Sequence, residues 1–338
     1  MKAKLVLLLV LLSVPVAALG GSEAVVKEPW RGVHIGIGSA KAVEQLTGVV
    51  GELAGLGINV IVGEINYGYK YTSHPELRRG GASGPEQIKR LLAECRRHKV
   101  RLIPQFQCLG HQSWSKNTGP LLTKYPEFDE TPGKYPNNKG IYCRSWCPLH
   151  PQVNKIVFEL MDELIKVFEA DAMHVGMDEV FIIGDEDCPR CKGKGKAELF
   201  AGAVNDYHKH LAGRHKIEML MWGDRLIDAS KYSYGKWEAS ANDTAAAIDM
   251  IPKDIIMCDW HYNLRDAYES VPLFLEKGFR VWPASWKKPD AAKAFVDYSR
   301  KFDNKRMLGH LNTTWGAVKI GDLPSFEPLK YAAKSFTR

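Results

Sequence analysis

Past its first twenty residues the sequence has no apolar run approaching the length of a bilayer, which excludes further transmembrane helices. It has no internal repeat and no low-complexity segment, which excludes solenoid and fibrous architectures. No Gly- or Pro-rich linker marks a second domain. No block of like charge is present either. The formal net charge is +7, yet the basic residues are scattered, as in KRLLAECRRHK (89–99), which reads as a solvated helix face. No nucleic-acid partner is therefore expected. Cysteines are few and odd in number, at seven.

What is present begins with MKAKLVLLLVLLSVPVAALG, with Lys2, Lys4, an apolar stretch and small residues at Ala18 and Gly20. The pattern predicts a secretory signal peptide over 1–20, short for a membrane span and without a stop-transfer flank. No cysteine follows the expected cleavage region, so no lipid anchor is expected. The mature chain is expected to be exported, without a stable membrane span. At 338 residues and 45% apolar content it can bury a large core.

From 29 to 338 the chain alternates strand-like apolar runs with amphipathic helical stretches. The strand candidates are GVHIGI (32–37), INVIVGEI (58–65), VRLIPQFQ (100–107), AMHVGM (172–177), IEMLMWG (217–223), IIMCDW (255–260), RVWPASW (280–286) and RMLGHLNTTW (306–315). Helical patterns lie between most of them: 40–56, from Pro85, from near Pro151, and 196–214. This β-then-α rhythm predicts an α/β fold, a single (β/α)8 TIM barrel over 29–338, with a doubly wound open sheet as the alternative. Polar and aromatic residues gather at the strand C-terminal ends, where a barrel builds its active site: Glu64, His111, Asp178, Glu179, Trp222, Asp224, Trp260, His261, Trp286 and Trp315. In AMHVGMDEV, a period of two puts Met173, Val175 and Met177 on one face. His174, Gly176 and Asp178 share the other, towards the axis and mouth. The plainer alternative is that Asp178 and Glu179 cap a following helix.

HVGMDEV resembles the His-x-Gly-Gly-Asp-Glu motif that ends the fourth barrel strand of glycoside hydrolase family 20, the β-N-acetylhexosaminidases. WRGVHI (30–35), IPQFQCLGHQSW (103–114), MLMWGDRL (219–226) and TTWG (313–316) are similar to other family segments in the same order. The extra N-terminal α/β domain common in the family is missing from the match. The resemblance implies a glycan substrate, no cofactor required for catalysis, and retaining, substrate-assisted hydrolysis. It implies that Glu179 is the general acid, protonating the glycosidic oxygen and later activating water. Asp178 would stay ionised and orient the 2-acetamido group. Arg31 and Glu64 would bind the sugar, and His111 and His174 would line the floor. Trp222, Trp260, Trp286 and Trp315 would wall the ring, although a Trp in a large barrel more often packs.

The sequence departs from the family in its specificity shell. Glu64-Ile65-Asn66-Tyr67 stands where the family has an acidic run, and Lys287 stands where a Tyr would contact the acetamido oxygen. Tyr262 is the candidate replacement. Ala317 replaces a sugar-binding Glu. Two other functions stay open on these grounds. One is a non-catalytic carbohydrate-binding barrel. The other is a metal-dependent hydrolase or deacetylase using His34, His111, His174, Asp178 and His261, although the first strand lacks a His-x-His pair.

Among the cysteines, Cys95 and Cys258 fall in helix and strand patterns, as buried thiols would. Cys143 and Cys147, in CRSWC, and Cys188 and Cys191, in CPRC, lie in loops after the third and fourth strands. These four are expected to converge as disulfides, as a structural Zn2+ cluster, or as free thiols.

Overall fold

The computed structural model describes residues 28–336, so the expected signal peptide over 1–20 lies outside the described residues. All eight strand candidates form: β1 Trp30–Gly36, β2 Val60–Glu64, β3 Arg101–Cys108, β4 Ala172–Gly176, β5 Glu218–Trp222, β6 Ile256–Trp260, β7 Arg280–Ser285 and β8 Gly309–Thr313. They pair in parallel in chain order, and β8 pairs with β1 to close a barrel. The open-sheet alternative is thereby removed. Among the described residues, no helix is long and apolar enough to cross a membrane.

The period of two sets the layers. Met173, Val175 and Met177 join the large cluster between barrel and helices, while Ala172 joins the smaller one inside the barrel with Val62, Ile103, Leu220, Trp222 and Trp282. The outer layer is built from α1 Ala40–Gly55, α2 Pro85–Arg97, α3 Val153–Phe168, α4 Lys196–His208, α5 Ser270–Glu276, α6 Pro289–Ser299 and α7 Glu327–Ser335. Ser39 caps α1 by accepting the Ala42 N–H, and Pro85 starts α2 where a missing N–H costs nothing. The helical pattern of 196–214 continues past α4 as a wider-wound turn over Lys209–His215. Between β5 and β6 only short turns form, among them Gly235–Glu238 and Ala245–Asp249, and these edge the mouth.

Candidate active site

Chain geometry at the end of β4 brings the two acids to the mouth. Gly176, Met177 and Glu179 have φ of 70°, 76° and 49°, so the backbone turns sharply just where the strand stops. A left-handed conformation at Met177 and Glu179 costs energy, and such costs cluster at functional sites. Gly176 is required twice over, because a Cβ there would also lie 2.0 Å from Gln107 Oε1. No helix begins after Asp178-Glu179; the next, α4, begins at Lys196, so the helix-cap alternative is overturned.

His111 stands between the acids, its Nε2 3.2 Å from Asp178 Oδ2 and 3.1 Å from Glu179 Oε2. Gln107 Nε2 donates to Asp178 Oδ1 at 2.8 Å. Gln107 reaches inward where the β3–β4 register shifts between Gln105 and Cys108, and its own N–H is held by Asn66 Oδ1. Burial alone would raise the Asp178 carboxyl, but His111 and the Gln107 bond outweigh it and hold it below its ordinary value. Burial would likewise lower His111, and the facing Asp178 and Glu179 carboxylates outweigh that, keeping the imidazole protonated well above its ordinary value. His111 thus presents a cation to both carboxyl groups.

Asp224, two residues past β5, fixes the strained segment. Its Oδ2 accepts the Glu179 N–H at 2.9 Å and Arg225 Nε at 2.6 Å, and its Oδ1 accepts Trp260 Nε1 at 3.1 Å. Burial pushes its carboxyl up to about 6; Arg225 opposes this and the Asp178 charge adds to it. Trp260 thus helps to position Asp224.

Around the acids, Glu64 lies 3.5 Å from His34 Nε2 and accepts Asn66 Nδ2 at 2.7 Å. Burial raises the Glu64 carboxyl. The Tyr262 hydroxyl accepts Trp315 Nε1 at 2.5 Å and Thr313 Oγ1 at 3.3 Å, and its ring packs on Trp260 and Trp286. Trp286 donates to the Thr314 carbonyl at 2.9 Å, and Lys287 sets its ammonium 4.1 Å from the Trp286 ring centroid. Tyr142 faces Glu179 and joins Trp114, Phe181 and Trp237 in an aromatic rim, with Trp114 63% exposed. A cleft of about 700 Å³ runs from His111 past Trp114 to Arg79 and Glu76.

Four expectations are corrected. Arg31 lies at the N-terminal end of β1 and faces outward with Val33 and Ile35. Its guanidinium bonds to Glu28 and to the Gly57 and Phe336 carbonyls, about 16 Å of strand away from the mouth. Trp222 is a floor residue and not a wall: it is fully buried against His34 and His174, with Trp315 above. His174 lies on that floor too, burial keeping it neutral, its Nδ1 accepting the Gly176 N–H. Of the alternative metal set, His111 and Asp178 come together with Glu179, whereas His261 points away from the axis to Glu238 and Ser270. Finally, Cys143 stands apart from the other loop cysteines, its thiol donating to the Glu179 carbonyl at 3.6 Å.

Gln107 and Tyr142 were missed in the sequence, and Asp224 was placed at a strand end without a role. Gln107 and Asp224 do sit at strand C-terminal ends, the one available signal; Tyr142 lies deep in a loop and carries none.

Comparisons with known proteins bear on the family and the fold. The description "Glycosyl hydrolase family 20, catalytic domain" matches residues 65–319. Hexosaminidase D of Bos taurus is 25% identical over 206 residues, 59% of this chain and 56% of its own length. A beta-hexosaminidase of Emericella nidulans is 22% identical over 290 residues, 75% of this chain and 42% of its own. In fold, the chain is similar to the chitobiase of Flavobacterium johnsoniae, with a TM-score of 0.67 at 18% identity, covering 92% of this chain and 48% of that one. It is equally similar to an exo β-N-acetylglucosaminidase of Vibrio harveyi, with a TM-score of 0.67 at 15% identity, covering 92% and 54%. The chain spans about half the length of these relatives. With the family's catalytic domain matched over most of its length, the chain belongs to glycosyl hydrolase family 20.

Proposed function

We propose that the chain is an exported glycoside hydrolase that removes a terminal β-linked N-acetylhexosamine, or a related hexosamine, from glycans by a retaining, substrate-assisted mechanism. The observation that carries this reading is an Asp178 carboxylate held ionised by His111 and Gln107 beside a Glu179 fixed by Asp224. Glu179 gives its proton to the glycosidic oxygen as the bond to C1 breaks and the acetamido carbonyl oxygen bonds to C1. Positive charge then develops on the acetamido nitrogen, and Asp178 accepts its N–H and stabilises that charge. In the second step Glu179 takes a proton from water as the water oxygen attacks C1 and the ring opens. The Tyr262 hydroxyl takes the acetamido role that Lys287 cannot fill, since Lys287 stacks on Trp286. Glu64 binds a sugar hydroxyl, and Trp260, Trp286 and Trp315 flank the ring.

The non-catalytic alternative fits less well. A barrel that only bound sugar would gain nothing from a left-handed Glu179 held by a buried carboxylate, since both cost stability. Release of the aryl group from an aryl 2-acetamido-2-deoxy-β-glucoside, with no release from the plain glucoside, is expected. Equal turnover of both sugars would refute assistance by the acetamido group.

A further inference from the structure

The loops after β3 and β4 bring three sulfurs and one carboxylate to a single buried point. One donor atom each from Glu130, Cys147, Cys188 and Cys191 lies within 4.8 Å of all the others, and all four side chains are fully buried. Cys147 Sγ is 3.5 Å from Cys191 Sγ and 3.5 Å from Cys188 Sγ. Tetrahedral zinc thiolates, with Zn–S of about 2.3 Å, set sulfurs about 3.8 Å apart, whereas a disulfide needs about 2.05 Å. Glu130 is the fourth corner where the cysteine spacing pointed to Cys143. The antiparallel bridge between Asp129 and Trp146 pairs Glu130 with Ser145 and Phe128 with Cys147, which brings Glu130 into the neighbourhood of Cys147, and Glu130 Oε1 accepts the Asp185 N–H at 3.1 Å. That leaves Glu130 Oε2 buried, without a hydrogen-bond partner, facing the Cys188 and Cys191 sulfurs.

The backbone supplies an independent sign. The N–H groups of Arg190 and Cys191 point at Cys188 Sγ, and the Leu149 N–H points at Cys147 Sγ. Amides folded back on a sulfur stabilise a thiolate and leave a buried thiol no better served. Three thiolates and a carboxylate around a dication carry a net charge of minus two. The same loop carries Arg190, Lys192 and Lys194 alongside Asp185, Glu186 and Asp187.

We propose that Glu130, Cys147, Cys188 and Cys191 bind one structural Zn2+ in a closed S3O site. Binding displaces the three thiol protons to solvent and adds no redox step. The ion pins the loop carrying Tyr142 and Cys143 to the loop that follows Glu179 and carries Phe181, so it fixes the rim of the cleft without touching substrate. All four coordination positions are filled by protein, which leaves none for a catalytic water.

The test is elemental analysis of the full chain, purified without chelator or metal-affinity tag, together with Co2+ substitution. The expected result is one zinc ion per chain and, with Co2+, the intense visible bands of a tetrahedral thiolate site. Cys188→Ser should abolish both signals. Glu130→Cys should keep the metal, since it completes an S4 set, which separates lost ligation from simple misfolding. Folded protein with no zinc and three freely titrating thiols would overturn the proposal. So would a disulfide among Cys147, Cys188 and Cys191 in unreduced peptide maps.

Discussion

Replacing His111 by Gln removes the one cation between Asp178 and Glu179, at little change in volume. Hydrogen bonds to charged groups contribute about 1.5–3 kcal/mol, and one pKa unit corresponds to about 1.4 kcal/mol. Losing the 3.2 Å contact to Asp178 should therefore weaken the hold on its ionised form and raise its carboxyl. Asp178 works ionised, and its value is depressed in the native protein, so activity is lost as pH falls through that depressed value. In His111→Gln the acidic limb of kcat/KM should move to higher pH, and an interaction of about 1.5–3 kcal/mol lost from the ionised form corresponds to about 10–100-fold in activity on that limb. The assay is a pH profile of aryl N-acetyl-β-glucosaminide hydrolysis for both proteins. Stability carries the same signature. The Asp178 contribution is present above its ordinary 3.8 and lost as pH falls, while the His111 contribution is full below its ordinary 6.5 and lost as pH rises through its raised value. The wild-type advantage in denaturant unfolding should be widest between those two values. A variant whose acidic limb stays put, with activity reduced equally at every pH, would refute the reasoning.

Three other substitutions probe separate parts of the account. Tyr262→Phe should lower kcat/KM by about 10–100-fold, the loss of one hydrogen bond to a charged transition state, with the fold unchanged by circular dichroism. Arg31→Met should leave kcat and KM within about twofold and lower stability by about 1–3 kcal/mol in urea unfolding, since its bonds tie the foot of β1 to Gly57 and Phe336. Asp224, held up to about 6 chiefly by burial, contributes most to stability below its ordinary 3.8, and that contribution is lost as pH rises through about 6. Asp224→Asn should remove this fall in unfolding free energy between pH 4 and 7.

The barrel was legible because each strand carries its own signal: an apolar run, a turn, then a helical period. The inward face of β4 was readable for the same reason: His174 packs on Trp222 of the inner cluster, and Gly176 faces Gln107. Legibility failed where a contact joins distant loops. Glu130 sits in a loop without periodicity, and the fold around the Asp129–Trp146 bridge gathers it with Cys147, Cys188 and Cys191, a neighbourhood that spacing within CRSWC, which offered Cys143, does not show. Arg31 failed differently. Its parity with Val33 and Ile35 already placed it on the outer face, yet the similarity of a short motif drew it into the site. Asp224 stood at a strand end in plain view, but nothing local reveals that its carboxylate holds the Glu179 amide. The segment between β5 and β6 breaks into turns, which the regular alternation did not foreshadow.

The central claim is that Glu179 transfers the proton at the glycosidic bond. The most direct test is hydrolysis of aryl N-acetyl-β-glucosaminides with good and poor leaving groups by wild type and Glu179→Gln. Wild type should turn over both. The variant should lose about 10²–10⁴-fold on the poor leaving group and much less on the good one, which needs little protonation. Undiminished turnover of the poor leaving group by Glu179→Gln would contradict the account.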